Sequence, residues 1–187
     1  MKRAVFLDRD GTLIEEAGYL DRLDRLVFFP YSVDAVRVLN RAGFAVVVVT
    51  NQAGIARGIV KEAFVAEAHR AISARLEAGG ARIDAYYYCP HYPTGVVEPY
   101  RTVCDCRKPQ PGMLKRAAAD LDIDLTRSFV VGDRWHDVAA GHAVGARGIL
   151  VRTGVGYRDA AAPEPGITAD AILDTLADAS AWILDQP

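Results

Sequence analysis

The feature that most constrains the fold is an unbroken apolar run at 44–49, which reads FAVVVV. β-Branched residues favour strands, and a strand without a polar face is covered on both sides. Strands of this kind are typical of parallel sheets that lie between two layers of helices. The run therefore predicts an α/β domain in which 44–49 forms a central strand.

Strand-like and helix-like segments alternate along the whole chain of 187 residues. The alternation predicts a Rossmann-like domain of three layers, with a parallel sheet and right-handed crossovers. We expect one domain over 1–187 without a large cap domain, because no repeat or linker interrupts the pattern. The predicted strands are 4–7, 44–49, 83–88, 128–131 and 148–151; the predicted helices are 32–42, 61–78, 111–121, 136–144 and 170–184; 90–110 and 160–166 are predicted to be irregular.

Charge and hydropathy exclude several partners. The formal net charge is −2, which gives no basic field for nucleic acid or anionic lipid. The apolar run near the start stops at Asp8, too early for a signal-peptide core or a membrane span. We therefore expect a cytoplasmic protein without nucleic-acid or membrane partners, and a monomer, because no exposed apolar repeat is evident.

Polar residues follow four of the predicted strands. Because ligands bind at the carboxyl ends of parallel strands, we expect these residues to meet at one opening. They are Asp8, Asp10, Gly11 and Thr12 after the first strand, Thr50, Asn51 and Gln52 after the second, Arg107 and Lys108 beyond the third, and Gly132, Asp133, Arg134 and Asp137 after the fourth.

This set of residue types suits phosphoryl transfer. The reaction needs an in-line nucleophile, a proton donor for the leaving oxygen and cations around the phosphoryl group. Asp8 supplies the nucleophile, Asp10 the proton donor and Lys108 one of the cations. Mg²⁺ prefers carboxylate and carbonyl oxygens, which Asp8, Asp133 and the main chain of Asp10 offer. Thr50 adds a hydroxyl and an amide for a phosphoryl oxygen.

The three cysteines point to a metal. An odd count argues against a disulfide scaffold, and Cys104 and Cys106 are separated by a single residue. Together with Cys89 and His91 they form a Cys₃His set, which zinc binds as a closed tetrahedral structural site. We expect a structural zinc loop over 89–106 that fixes the following residues, among them Lys108.

These motifs resemble those of a known family. The DxDGT sequence from Asp8 to Thr12, the strand ending in Thr50, the lysine before a helix and Gly132-Asp133 are similar to the four motifs of the haloacid dehalogenase superfamily of phosphatases. The segment 51–58, NQAGIARG, and the CPH…CDCRKP loop resemble a small group within it, the heptose bisphosphate and histidinol-phosphate phosphatases.

The resemblance implies a magnesium-dependent phosphoric monoester hydrolase. Asp8 would form an aspartyl-phosphate, Asp10 would act as acid and then base, and Thr50 and Lys108 would hold the phosphoryl group. Mg²⁺ would be held by Asp8, Asp10 and Asp133. The residues implied to contact substrate are Arg9, Glu16, Ala17, Gly18, Tyr19, Asn51, Gln52, Ala53, Arg57, Arg107 and Arg134.

The implied substrate is a sugar bisphosphate, D-glycero-D-manno-heptose 1,7-bisphosphate. Loss of its C7 phosphate gives heptose 1-phosphate for nucleotide-activated heptose and lipopolysaccharide synthesis. The sequence leaves the anomer at C1 open. It also departs from the family pattern, since Arg134 stands where the family has lysine, and arginine bonds with a different geometry.

Two alternatives remain open at this point. A histidinol-phosphate phosphatase would use the same catalytic set and favour acidic groups at the outer mouth, where Glu15, Glu16 and Asp21 are available. A phosphorylated receiver or a zinc interaction module would have no turnover. The phosphoryl-accepting aspartate of a receiver, however, follows a middle strand and not an N-terminal DxDGT.

Overall fold

A six-stranded, all-parallel sheet forms the centre of the computed structural model, which describes residues 1–162 and 164–187. The order across the sheet is β3-β2-β1-β4-β5-β6. The predicted α/β class with a parallel sheet is confirmed. The strands are β1 (Ala4–Leu7), β2 (Ala45–Asn51), β3 (Ala85–Cys89), β4 (Phe129–Gly132), β5 (Arg147–Val151) and β6 (Ala171–Leu173).

Seven α-helices connect and cover the strands of the described part of the chain. The sequence pattern predicts five of the helical regions and misses the two short helices α2 and α6. The helices are α1 (Ser32–Arg41), α2 (Ala53–Ala56), α3 (Glu62–Ala78), α4 (Gly112–Leu121), α5 (Trp135–His142), α6 (Gly156–Ala161) and α7 (Leu176–Leu184).

The predicted closing helix over 170–184 is wrong in its first half. Residues Ala171–Leu173 form β6 beside β5, and α7 begins only afterwards. The break is set by a capping box, in which the Thr175 side chain accepts from the Asp178 amide and the Asp178 carboxylate accepts from the Thr175 amide. The loop predicted over 160–166 begins within α6, and Pro163 lies outside the described residues.

Alternation along β1 divides the core into two layers. Val5 and Leu7 pack in the cluster that contains the buried faces of α1, α3 and α7. Ala4 and Phe6 pack in the other cluster, which contains residues of α4 and α5. The three-layer arrangement expected from the sequence is therefore present, and β1 is covered on both faces.

The strand order fixes where a ligand can bind. From β1 the chain runs to β2 and β3 on one side and later crosses to β4 on the other, which makes the β1–β4 boundary the topological switch point. The Asp8 amide donates to the Val131 carbonyl across this boundary, at 2.9 Å. The carboxyl end of β1 therefore opens into a crevice flanked by the end of β4.

Loops cover this crevice. In the described residues, 8–31 and 90–111 form no inserted domain and contain only turns, isolated bridges and single turns of 3₁₀ helix. None of the helices in the described ranges has the length and apolar character needed to cross a bilayer.

Candidate active site

Four buried charged side chains form the floor of the crevice: Asp8, Lys108, Asp133 and Asp137. The Lys108 ammonium lies 2.9 Å from Asp8 Oδ1 and 2.6 Å from Asp137 Oδ1, and it donates to the Val49 carbonyl at 2.7 Å. The ammonium therefore has three oxygen atoms as close neighbours, and the cation lies against the carboxylate that follows β1.

The electrostatic environment of the floor favours the charged form of Lys108 and a cation next to Asp133. Burial alone would lower the pKa of Lys108, but Asp137 and Asp8 raise it above its usual value, so the lysine stays charged. Burial, and then the negative charge of Asp8, raises the pKa of Asp133 to about 8. A carboxylate at this position therefore needs a cation to remain ionised at neutral pH.

The same carboxylates fit a magnesium ion. Oxygen atoms of Asp8, Asp133 and Asp137 lie within 4.8 Å of one another. Asp133 Oδ1 is buried and has no hydrogen-bond partner among the described residues, which is costly unless a cation binds it. Hard oxygen ligands of this kind suit Mg²⁺. The side chain of Asp10 is not in this cluster, so the predicted role of Asp10 in holding magnesium depends on its main-chain carbonyl.

Two glycines shape the floor, and one was missed in the sequence. Gly154 has φ +57°, and a Cβ there would lie 2.2 Å from Asp133 Oδ2 and 2.6 Å from the Cα of Gly11. The next residue, Val155, donates its amide to Asp133 Oδ2 at 2.8 Å. The turn after β5 therefore orients the Asp133 carboxylate, and the signal for it is the Thr153-Gly154 sequence one residue beyond that strand.

The carboxylate of Asp10 turns away from the floor towards Arg9 and Gln52. Arg9 Nε and Nη2 donate to Oδ2 and Oδ1 of Asp10 at 3.0 and 3.1 Å. Gln52 Nε2 donates to Asp10 Oδ2 at 3.1 Å and to Thr50 Oγ1 at 2.8 Å. Arg9, Gln52 and Thr50, all predicted to act at the site, thus form one hydrogen-bonded chain around Asp10.

Asn51 joins the end of β2 to the lysine. Its Oδ1 accepts from the Lys108 amide at 3.0 Å, and its Nδ2 donates to the Lys108 carbonyl at 3.2 Å. The side chain of Asn51 therefore holds the main chain of Lys108. The pairing was not foreseen, because it joins residues 57 positions apart.

The four predicted zinc ligands converge. Cys89 Sγ lies 3.5 Å from Cys104 Sγ and 3.0 Å from Cys106 Sγ, and His91 Nδ1 lies 3.3 Å from Cys106 Sγ. Tetrahedral zinc with bonds of about 2.3 Å would place its sulfur ligands roughly 3.8 Å apart, somewhat farther than the 3.0 and 3.5 Å between these sulfur atoms. The three cysteines are free thiols, so the cluster fits a structural zinc ion.

The crevice is a cavity of about 520 Å³, a size suited to a small-molecule ligand. Three predicted site residues are not among those that line it: Lys108, Asp133 and Ala17. The predicted residues that line it are Asp8, Arg9, Asp10, Glu16, Gly18, Tyr19, Thr50, Asn51, Gln52, Ala53, Arg57, Arg107 and Arg134. It is also lined by Leu20, Gly54, Tyr92, His136 and Val155, which the sequence did not single out.

The rim of the cavity, defined as Arg57, Tyr92, Arg107 and Arg134, is cationic. The guanidinium carbons of Arg57 and Arg107 lie 4.2 and 5.0 Å from the centre of the Tyr92 ring, within the range of a cation–π interaction. Arg134 Nη2 lies 3.8 Å from Glu16 Oε2. Tyr92 therefore organises two arginines at the mouth, although the sequence gives no signal beyond its place next to His91.

The loop opposite the zinc loop is held by an arginine that the sequence did not single out. Arg25 donates to the carbonyls of Ala17 and Tyr19 at 2.6 and 3.0 Å. Glu16 accepts from the Gly18 amide at 2.7 Å, and burial, with the nearby charge of Asp10, raises the pKa of its carboxyl. The predicted substrate-contacting segment Glu16–Tyr19 is therefore an ordered wall of the cavity.

Comparison with known proteins decides the family. The chain is 46% identical over 177 residues to the D-glycero-beta-D-manno-heptose-1,7-bisphosphate 7-phosphatase of Escherichia coli (strain K12), a match that covers 94% of this chain and 90% of that protein. The chain belongs to the heptose bisphosphate phosphatase family. The family member of Salmonella typhi is 43% identical over 185 residues, which cover 98% of this chain and 96% of that protein.

Broader comparisons agree with this family. Residues 105–179 match a family model described as HAD-hydrolase-like. The D,D-heptose 1.7-bisphosphate phosphatase from B. bronchiseptica, solved in complex with magnesium and phosphate, superimposes with a TM-score of 0.88 at 32% identity, and the match covers all of both chains. The fold and the haloacid dehalogenase resemblance predicted from the sequence are therefore confirmed.

Proposed function

We propose that this protein is a magnesium-dependent phosphatase that removes the C7 phosphate of D-glycero-D-manno-heptose 1,7-bisphosphate. The product, heptose 1-phosphate, would serve the synthesis of nucleotide-activated heptose and lipopolysaccharide. The observation that carries the proposal is the 46% identity to an E. coli phosphatase of that name over 94% of the chain. The cavity supports it, because its floor suits phosphoryl transfer and its rim suits a second phosphate.

The floor residues have distinct parts in the reaction. An Asp8 oxygen attacks phosphorus, and the bond from phosphorus to the C7 oxygen breaks. Asp10 gives its proton to that oxygen, so the sugar leaves as an alcohol. Water then attacks the aspartyl-phosphate, Asp10 takes a proton from the water, and Asp8 is released with inorganic phosphate.

Lys108 and Thr50 bind the transferring group. The Lys108 ammonium lies 2.9 Å from Asp8 Oδ1, so a phosphoryl group on Asp8 meets a fixed positive charge. Thr50 is buried at the end of β2, with its hydroxyl bonded to Gln52. We propose that Asp8 and Asp133, with the Asp10 carbonyl, hold Mg²⁺. The ion would neutralise charge on the phosphoryl oxygens.

We propose that zinc in the Cys89–Cys106 loop is structural. Four protein ligands leave no position for a catalytic water. The loop carries Tyr92 at one end, and Arg107 and Lys108 follow its last ligand. Zinc would therefore fix the position of Lys108 in the floor together with those of Tyr92 and Arg107 in the rim.

The rim favours a bisphosphate. Three positive charges lie at the mouth, on Arg57, Arg107 and Arg134. The carboxylate of Glu16, which also lines the cavity, lies next to Arg134. A phosphate at the far end of an extended sugar would meet these guanidinium groups, whose forked donors match phosphate oxygens. The cationic histidinol of the alternative substrate would be repelled, which makes histidinol phosphate the weaker candidate.

We also propose a substrate anomer, a cellular compartment and an oligomeric state for this protein. The E. coli and S. typhi relatives carry the beta anomer in their names, so we propose the β-bisphosphate as the preferred substrate. We propose that the protein is cytoplasmic, because its free thiols suit a reducing compartment. We propose a monomer, which light scattering on the eluting protein would test.

A kinetic panel tests the proposed activity. Purified protein with Mg²⁺ would be given the β- and α-heptose 1,7-bisphosphates, fructose bisphosphate and histidinol phosphate, with phosphorus NMR to identify the phosphate that is lost. We expect the highest kcat/KM for the β-heptose bisphosphate and loss of the C7 phosphate alone. A preference for histidinol phosphate, or release of the C1 phosphate, would contradict the proposal.

A further inference from the structure

Arg9 is one of the largest fully buried side chains that the structure describes, although it lines the cavity and stands between two aspartates in the sequence. Its side chain is 2% exposed, and its guanidinium lies 2.9 Å from Asp10 Oδ2. Two of its five N–H donors go to the Asp10 carboxylate, one to each oxygen. Arg9 is therefore placed to orient Asp10 from a buried position.

Asp10 is held from two sides. Arg9 donates to both of its oxygens, and Gln52 donates to Oδ2 from the other direction. The second donor of the Gln52 amide goes to Thr50 Oγ1, so both of its protons are used. A bidentate contact fixes the plane of the carboxylate, and the third bond fixes its rotation about that contact.

The environment behind Arg9 adds no second charge. His69 is buried on α3 and stacks on Tyr86 with ring centres 4.4 Å apart. Burial, and then the positive charge of Arg9, lowers the pKa of His69 to about 3, so its imidazole is neutral. The pair of Arg9 and Asp10 is thus the only ionic contact of this guanidinium among the described residues.

We propose that Arg9 and Gln52 are positioning residues that aim the Asp10 carboxyl at the leaving oxygen, a role that rests on the proposed phosphatase chemistry. Each carboxylate oxygen has two lone pairs. Oδ2 accepts from both Arg9 Nε and Gln52 Nε2, whereas Oδ1 accepts only from Arg9 Nη2 within the hydrogen bonds of the described chain. The free lone pair is therefore on Oδ1, which is the oxygen that exchanges the proton.

If Arg9 and Gln52 position Asp10, the loss of kcat/KM on mutation should depend on the leaving group of the substrate. A sugar alkoxide is strongly basic and needs a proton as it leaves, whereas 4-nitrophenolate is a stable anion that does not. The ratio kcat/KM reports the reaction only up to release of the leaving group, so it is not affected by later hydrolysis of the aspartyl-phosphate. A variant in which the Asp10 carboxyl is no longer positioned should therefore have a lower kcat/KM for the sugar phosphate and a nearly unchanged kcat/KM for the aryl phosphate.

The experiment measures kcat/KM for heptose 1,7-bisphosphate and for 4-nitrophenyl phosphate in Arg9→Met, Gln52→Leu and Asp10→Asn. We expect Arg9→Met to lose about 100-fold on the sugar and less than about 5-fold on the aryl ester, the same pattern as Asp10→Asn. Gln52→Leu should show the pattern more weakly. Arg70→Met, an exposed arginine one residue beyond His69, is the matched control and should leave both values unchanged.

Three results would overturn the proposal. Equal losses on both substrates in Arg9→Met would assign Arg9 to the stability of the whole site. If Arg9→Met does not fold, an unchanged ratio in Gln52→Leu overturns the role. An unchanged ratio in Asp10→Asn would remove the acid role of Asp10 itself, which is a failure of the proposed mechanism and is distinct from a failure of Arg9 alone.

Discussion

The floor and the rim of the cavity hold their charges in opposite ways. Lys108 is 4% exposed and Asp137 is fully buried, and each is fixed by ion pairs and hydrogen bonds. On the rim, the Arg134 side chain is 42% exposed, and Arg57 is held by an aromatic ring. Buried charges act strongly and without reorganisation, whereas exposed ones are screened by water. We therefore expect floor residues to control kcat and rim residues to control KM.

The largest effect should come from the floor. Asp8→Asn removes the proposed nucleophile, and we expect kcat to fall by more than about 10⁴-fold, as for other catalytic residues that act directly on the substrate. The fold should remain, because Lys108 keeps its contacts with Asp137 and the Val49 carbonyl. Phosphate release and circular dichroism measure the two quantities.

The control for this variant is Asp24→Asn, the same change at an exposed position. It should leave kcat unchanged. If Asp8→Asn retained more than about 1% of the wild-type rate, a different nucleophile would be required, and the floor would lose its assigned role.

Loss of the zinc loop should disturb floor and rim together, with a smaller effect. Cys104→Ser removes one of the four proposed zinc ligands, and we expect loss of bound zinc, a lower melting temperature and a decrease in kcat/KM of about 10- to 100-fold. Both kcat and KM should change, because Lys108 and Arg107 directly follow the loop. Metal analysis and kinetics on the same preparation measure this.

Val103→Ser is the matched control, since Val103 is adjacent in the loop and 82% exposed. It should keep its zinc and its activity. A Cys104→Ser protein that lacks zinc yet turns over at the full rate would break the link between the loop and the two regions.

Removal of the rim ring should affect KM alone. Tyr92→Ala frees the guanidinium groups of Arg57 and Arg107, and we expect KM for the bisphosphate to rise about 10-fold at nearly constant kcat, which corresponds to roughly 1.4 kcal/mol of binding. Tyr92→Phe keeps the ring and should restore KM. A decrease in kcat without a change in KM would contradict the division between floor and rim.

The smallest effect on turnover is expected behind the floor, where the change concerns stability at acid pH. The pKa of His69 is lowered to about 3 by burial, against an ordinary value near 6.5. As pH falls below about 6.5, the unfolded chain takes up a proton that the folded chain refuses until about pH 3. The free energy of unfolding should therefore decrease by up to about 1.4 kcal/mol per pH unit from this group.

His69→Phe keeps an aromatic ring beside Tyr86 and removes the titration. Urea unfolding from pH 7 to pH 4 should give a shallower loss of stability in this variant than in the wild type. Identical slopes would mean that His69 is protonated in the folded protein, next to Arg9.

Much of this arrangement is predictable from the sequence because it depends on strand ends. Apolar runs locate the central strands, and in a parallel sheet the residues after β1 and β4 must meet at the switch point. Asp8 and Asp133 lie together for that reason. The spacing of the cysteines and of His91 likewise predicts their convergence.

The remaining features depend on contacts between distant parts of the chain. The stacking of Tyr92 needs the folded positions of two arginines from different segments, and the burial of Arg9 needs α3 above it. The boundary between β6 and α7 was misplaced because Thr175 and Asp178 form a capping box within an otherwise helix-like segment. Short capping signals of this kind determine where a helix begins.

The central claim is that Asp8 carries the phosphoryl group during turnover. The direct measurement is an acid quench within milliseconds of mixing enzyme, Mg²⁺ and heptose 1,7-bisphosphate, followed by mass spectrometry of the peptide that contains Asp8. We predict a magnesium-dependent phosphoryl adduct on Asp8 that is absent from Asp8→Asn. An adduct on another residue, or none at any quench time while phosphate is released, would contradict the account.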